Sequence, residues 1–217
     1  MSSGEPGALS QAEQAYRDLE HGLVTLQFAP GEIVSEGRLI EHVGLGRTPV
    51  REAMQRLAHQ ELIQVLPRKG LLIAPIRRDE LLQVLEARKP LEQLIVYRAA
   101  LNARDDQRSG LSAIARTLSI SHESFDAFLQ LDNELDELLD ACSGNPFASS
   151  AVAPLRTHCR RFWYFYRHRL QLSDAISVHS KMIRLIARRD ANGAVKASDT
   201  VISMLERLVA GLESRAD

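Results

Sequence analysis

The chain has 217 residues, 25% of them charged and 45% hydrophobic, with a formal net charge of −1. That balance suits a globular protein of one large or two small domains, and no apolar run approaches the ~18 residues of a membrane span. Near-neutrality gives no sign of a nucleic-acid partner, but the distribution does. Residues 1–36 hold one Arg against six acidic residues, whereas residues 37–78 hold eight Lys and Arg against Glu41, Glu52 and Glu61. A basic patch on a neutral chain is an electrostatic footprint.

Residues 1–9 read as a flexible tail, because no basic stretch is followed there by an apolar one, as a secretion signal would require. Cys142 and Cys159 supply neither a disulfide framework nor a metal-binding spacing. A cytoplasmic protein is expected. A first helix is predicted over Gln11–Gln27, capped by Ser10, with Ala15, Leu19, Leu23 and Leu26 as its apolar stripe. Ala29-Pro30-Gly31 breaks it, and Ile33-Val34 is at most a brief strand. Ser35 caps a second helix over Glu36–Val43, and Gly44-Leu45-Gly46 turns the chain.

The third helix organises this half. Thr48 is expected as its N-cap and Pro49 as its first residue, and it runs to about Gln60. Val50, Ala53, Met54, Leu57 and Ala58 recur at helical spacing as one buried face, leaving Arg47, Thr48, Arg51 and Gln55 on the other. A capped helix start carrying two guanidiniums is suited to the major groove of DNA, where phosphates and base edges are both in reach. Taken alone it reads as an ordinary amphipathic helix with a solvated basic face. The flanking order (short helix, glycine turn, helix) favours a helix-turn-helix. Two short apolar runs then surround Pro67-Arg68-Lys69-Gly70 and make a hairpin whose tip can reach the minor groove or the backbone. The fold expected for residues 10–76 is a winged helix-turn-helix of three helices and a two-stranded wing.

The stretch from Gly31 to Pro75 resembles the DNA-binding domain of the GntR family of bacterial transcription regulators. Gly31-Glu32, Leu39, Gly44, Arg47-Thr48-Pro49-Val50-Arg51-Glu52-Ala53, Leu57, Leu62-Ile63 and Pro67-Arg68-Lys69-Gly70 carry the resemblance. It implies that Arg47, Thr48 and Arg51 contact double-stranded DNA, with Arg68 and Lys69 on the wing and Gly70 shaping its tip. Some members use an Arg near the start of the second helix; Gly37 stands at that position here, and Arg38 is the nearest equivalent. Glu61 replaces the glycine usual before the first wing strand, so that turn takes a non-glycine residue or shifts by one.

From residue 77 to 217 every segment reads as helix, which predicts an all-α antiparallel bundle of six or seven helices and a mainly α protein overall. The expected helices are Asp79–Asn102, kinked or divided at Pro90; Leu111–Leu118 after a polar connection; His122–Cys142 capped by Ser121; Phe147–Arg167; Ser173–Arg189; and Asn192–Leu212. Leu85-Glu86-Ala87-Arg88 with Leu91-Glu92, Leu131-Asp132, Gly144-Asn145-Pro146, and His179 with Ile183 and Asp190 are similar to the effector-binding domain of the FadR subfamily, the FCD domain.

Many such domains hold a divalent metal through one Asp and three His. By this resemblance Asp132 and His179 keep their places, Asp136 stands where the second ligand is usually His, and the last position falls at about Val201, which cannot ligate. Two carboxylates at i and i+4 plus one imidazole suit a divalent ion such as Zn, Ni or Mn. They equally suit a surface acidic pair beside a hydrogen-bonded His. Residues 160–167 hold five of the chain's eleven aromatics. They read mostly as core or dimer interface, with Arg88 or Arg161 available to clamp an effector carboxylate as a bidentate pair.

The function expected from these readings is sequence-specific DNA binding and transcription regulation, as a repressor. The chain would act as a homodimer on a near-palindromic operator, under control of a small carboxylate bound in the helical domain. One alternative is a DNA-binding regulator whose helical domain only dimerises. A metal-dependent enzyme built on Asp132, Asp136 and His179 is the rival class, and no catalytic residue is assigned, because the sequence holds no nucleophile elbow, phosphate loop or dinucleotide fingerprint.

Overall fold

The computed structural model describes residues 9–120 and 124–213, so the tail expected over residues 1–9 lies almost wholly outside the described residues. The chain divides into two units between Arg77 and Arg78. In the first, Ser10 Oγ accepts a hydrogen bond from Glu13 N and starts helix α1, Gln11–Val24. This helix stops three residues short of expectation, because Gln27 N and Phe28 N turn back onto the carbonyl of Gly22. Strand β1 is Ile33–Val34, and α2, Glu36–Val43, is capped by Ser35 and ended by Gly44 at φ +70°. Helix α3 runs Arg47–His59 and corrects one expectation. Its N-cap is Gly46, without a side-chain bond, and Thr48 and Pro49 are already its second and third residues. Proline costs nothing there, since the first four N–H groups of a helix have no intrahelical partner.

After α3 the chain reverses through Glu61 at φ +59°, so the turn does take a non-glycine residue. Strands β2, Ile63–Leu66, and β3, Gly70–Ile73, form the antiparallel hairpin. The two-stranded wing is a further correction: β1 pairs with β3, Ile33 opposite Leu72 and Val34 opposite Leu71, in a sheet of order β1-β3-β2. A two-residue strand carries too little alternation to be read locally, and its partner lies nearly forty residues away. Leu19, Leu23, Phe28, Leu39, Val50, Leu57, Leu62 and Ile73 form the core beneath this sheet and the three helices.

In the second unit α4, Arg78–Asn102, passes through Pro90 undivided. Pro90 and Glu86, whose carbonyl the ring leaves without its partner, are both on the exposed side, so the lost bond faces solvent rather than the core. Helix α5 is Asp105–Ile120, six residues longer at its start than expected. The Gln107 side chain accepts from Arg104 N, and Asp105 and Asp106 occupy the electropositive first turn. The cap of α6, Phe125–Ser143, is Ser124; the expected cap Ser121 and first residue His122 lie outside the described residues. Helix α7, Pro146–Phe165, starts with Asn145 as cap and Pro146 at its first position. A single 3₁₀ turn, Arg167–Arg169, leads to α8, Leu172–Ala187, and α9, Ala191–Glu213. Of these six α-helices, counted among the described residues, α4 is central and packs against α6, α7, α8 and α9, while α5 packs against α6 and α8.

Candidate nucleic-acid interface and buried charge centre

Helix α3 sorts its side chains cleanly. Val50, Ala53, Met54 and Leu57 are buried, while Arg47, Thr48, Arg51 and Gln55 are exposed. Arg51 Nε donates to Glu36 Oε1 at 2.8 Å, a contact between α3 and α2 with both partners substantially solvated. Arg38, on α2, is held by Glu32 and lies 5.5 Å from the Phe28 ring. Its hydrogen bond keeps the Glu32 carboxyl below the usual range. At the wing, Arg68 (φ +64°) and Lys69 are both exposed. Gly70 does more than shape the tip. At φ +114° a Cβ there would lie 2.5 Å from Val34 O, so glycine is what lets β3 approach β1.

The second unit brings a different set of charges together. Arg88 and Glu92 on α4, Asp132 and Asp136 on α6, and Arg156 and Arg160 on α7 are all buried. Arg156 donates from Nε and an η nitrogen to Glu92 at 2.9 Å each, lies 3.2 Å from Asp136 and reaches Asp140 at 3.1 Å. Arg88 donates to Glu92 at 2.9 Å. Arg160 Nε donates to Asp132 Oδ2 at 3.0 Å, and its η nitrogen donates to Asp136 Oδ2. His179 on α8 places Nε2 3.4 Å from Asp132 Oδ1, and its Nδ1 meets the Ala175 carbonyl at 2.7 Å. Phe128 and Trp163 meet the imidazole edge-on, 5.3 and 5.5 Å away.

The cluster separates its carboxyls. Burial pushes all of them up, but Arg156 and Arg88 hold Glu92 at about 2. The hydrogen bond from His179 and the charge on Arg160 hold Asp132 well below the usual range. Asp136 is pushed up to about 7 by burial, because Asp132 and Glu92 offset part of what Arg156 and Arg160 supply. Beside the cluster lies a cavity of ≈ 20 Å³, enough for about one water, lined by Arg88, Asp132, Asp136, His179, Ser198 and Val201 among others.

The structure therefore unites Arg88, Asp132, Asp136 and His179 and excludes the surface acidic pair. Arg161 does not join them. It is also buried, but its charge faces Glu80, and burial lowers its pKa to about 10. The aromatic run is likewise divided: Phe162 and Trp163 are core, while Phe165 is 39% exposed. Sequence reasoning missed Arg156 and Arg160. The signal available was a triple repetition of i, i+4 charge pairs: Arg88 with Glu92, Asp132 with Asp136, Arg156 with Arg160.

The expected divalent metal does not fit these residues. Both carboxylates already meet guanidiniums, Val201 adds an apolar wall, and among the described residues no three His, Cys, Asp or Glu side chains are arranged to hold an ion.

Residues 11–73 match the family model of bacterial regulatory proteins of the gntR family, and residues 83–204 match that of the FCD domain. The HTH-type transcriptional repressor RspR of Escherichia coli K12 is 25% identical over 188 residues, 85% of this chain and 82% of that one. The HTH-type transcriptional repressor GlaR of the same organism is 31% identical over 121 residues, 56% of this chain and 54% of that one. Among solved structures, E. coli McbR/YncC shares the fold with a TM-score of 0.83 at 18% identity, over 95% of this chain and all of that one.

Proposed function

The chain belongs to the GntR family of helix-turn-helix transcription regulators and carries an FCD domain, and from that premise we propose how it recognises DNA and what controls it. The N-terminal turn of α3 enters the major groove. There Arg47 and Arg51 reach base edges or phosphate and Thr48 reaches phosphate. Arg68 and Lys69 follow the neighbouring backbone or minor groove, and Arg38 flanks the site. The observation that carries this reading is the exposure of Arg47, Thr48 and Arg51 on one turn of a helix whose opposite face is core. A homodimer would set two such helices in successive major grooves of a near-palindromic operator. The protein acts in the cytoplasm; among the described residues no helix is long and apolar enough to cross a membrane.

Repression is released by a small carboxylate bound in the helical unit, in line with the guanidinium of Arg88 at the edge of the cavity. Such a ligand biases an equilibrium between DNA-competent and incompetent arrangements by its differential affinity for the two. A second reading, dimerisation without an effector, is favoured by the cavity's size of ≈ 20 Å³. A thermal-shift screen of small carboxylates separates the two: stabilisation together with release from DNA supports the first, and a flat screen supports the second.

The test of the DNA reading selects an operator from random duplex DNA and measures affinity by fluorescence anisotropy. Arg47→Ala and Arg51→Ala are each expected to lose about 1–3 kcal/mol of specific binding if they read bases. Unchanged affinity in both would remove α3 from the interface.

A further inference from the structure

We infer that the Arg160 guanidinium stands in the place of a divalent cation in the helical unit, so that this FCD domain closes its acidic centre with a covalently attached charge and takes up no metal. The inference is independent of how α3 meets DNA.

Three observations carry it. First, the donor side chains keep the posture of metal ligands. His179 Nδ1 meets the Ala175 carbonyl at 2.7 Å, and a carbonyl only accepts, so Nδ1 donates there and Nε2 is the nitrogen directed at Asp132. A ligating His is held in this way by its second nitrogen. Asp132 and Asp136 lie one turn apart on α6, and an oxygen of each meets the same guanidinium.

Second, the place between them is taken. Arg160 bridges the two carboxylates, with Nε on Asp132 at 3.0 Å and an η nitrogen on Asp136. A planar guanidinium with its fork of donors satisfies two carboxylates as an ion would, and unlike an ion it cannot dissociate. Its side chain is buried, and the remaining space of ≈ 20 Å³ holds about one water, too little for an ion together with the water that would complete its shell.

Third, three fixed cations already face the four carboxyls. Arg88, Arg156 and Arg160 face Glu92, Asp132, Asp136 and Asp140, and each guanidinium is bonded to at least one carboxylate. A dication would enter beside three fixed cations. The position that would complete a four-ligand set is Val201, an apolar side chain on the cavity wall.

The experiment measures metal content by elemental mass spectrometry on the full chain, as purified and after incubation with zinc, nickel or manganese followed by desalting. Melting is followed in parallel. Wild type is expected to hold almost no metal and to melt at the same temperature with or without it. Arg160→Ala removes the guanidinium that bridges Asp132 and Asp136, leaving Asp136 its contact with Arg156. It is expected to melt lower than wild type, to take up about one ion per chain and to regain stability when metal is added. Arg160→Ala/Val201→His is expected to bind more tightly still. Wild type holding about one ion per chain, lost in both Asp132→Ala and His179→Ala, overturns the inference. So does a folded Arg160→Ala that takes up no more metal than wild type. Should Arg160→Ala fail to fold, the wild-type metal content decides alone.

Discussion

The two units use arginine in opposite ways. In the first, Arg38, Arg47 and Arg51 are exposed, and two of them rest against a single solvated glutamate each. In the second, Arg88, Arg156 and Arg160 are buried and share four carboxylates. An exposed ion pair is worth about 0–1 kcal/mol, so those arginines can leave their partners for a phosphate or a base at little cost. Removing one member of a buried pair strands a charge out of water, at about 3–5 kcal/mol. The same side chain is therefore an exposed charge with an easily exchanged partner in one unit and a fixed structural charge in the other.

The contrast is tested most severely at Glu92. Glu92→Gln leaves Arg88 and Arg156 short of a carboxylate and is expected to cost about 3–5 kcal/mol at pH 7, read by denaturant unfolding. The pH dependence follows from the sign of the shift. Glu92 titrates near 4.5 when unfolded and about 2 when folded. Its contribution is thus present above about 4.5 and fades as the pH falls through about 2. The gap between wild type and Glu92→Gln should narrow over that window; a constant gap would mean that Glu92 is not ionised in the fold.

At the wing, Gly70→Ala is expected to cost about 1–3 kcal/mol, because alanine must adopt φ +114° with its Cβ against the Val34 carbonyl. A melt of the variant unchanged from wild type would contradict the approach of β1 to β3. Arg68→Ala and Lys69→Ala should leave the melt alone. Each should lower the slope of log affinity against log salt by about 1, alike on specific and random duplexes. Loss confined to the selected operator would instead make them base readers. The smallest effect is expected at Glu36. Glu36→Gln should change stability by less than about 0.5 kcal/mol while modestly tightening DNA binding, since Arg51 no longer leaves a carboxylate. Weaker binding would place Glu36 itself in the interface.

The first unit was largely legible because its signals are local. Ser10 and Ser35 cap the helices they precede, and the apolar spacing of Val50, Ala53, Met54 and Leu57 identifies the outer face of α3. The error at Thr48 arose because Gly46, Thr48 and Pro49 are all acceptable at a helix start, and propensity does not rank positions two residues apart. The charge centre was half legible. Asp132, Asp136 and His179 stood out by residue type and family likeness, whereas Arg160 and Arg161 are adjacent and chemically identical in sequence. They point about 100° apart around α7, so one bridges two aspartates and the other faces Glu80.

By itself the sequence determined the two-part organisation, the course of most helices and the polar face of α3, because caps, glycines and apolar periodicity act within a turn or two of where they stand. Tertiary structure alone decided that β1 joins the wing, that α4 continues through Pro90, and that a guanidinium lies between Asp132 and Asp136. These depend on which distant surfaces meet and on which groups thereby lose water, and neither is written in the spacing of residues along one helix.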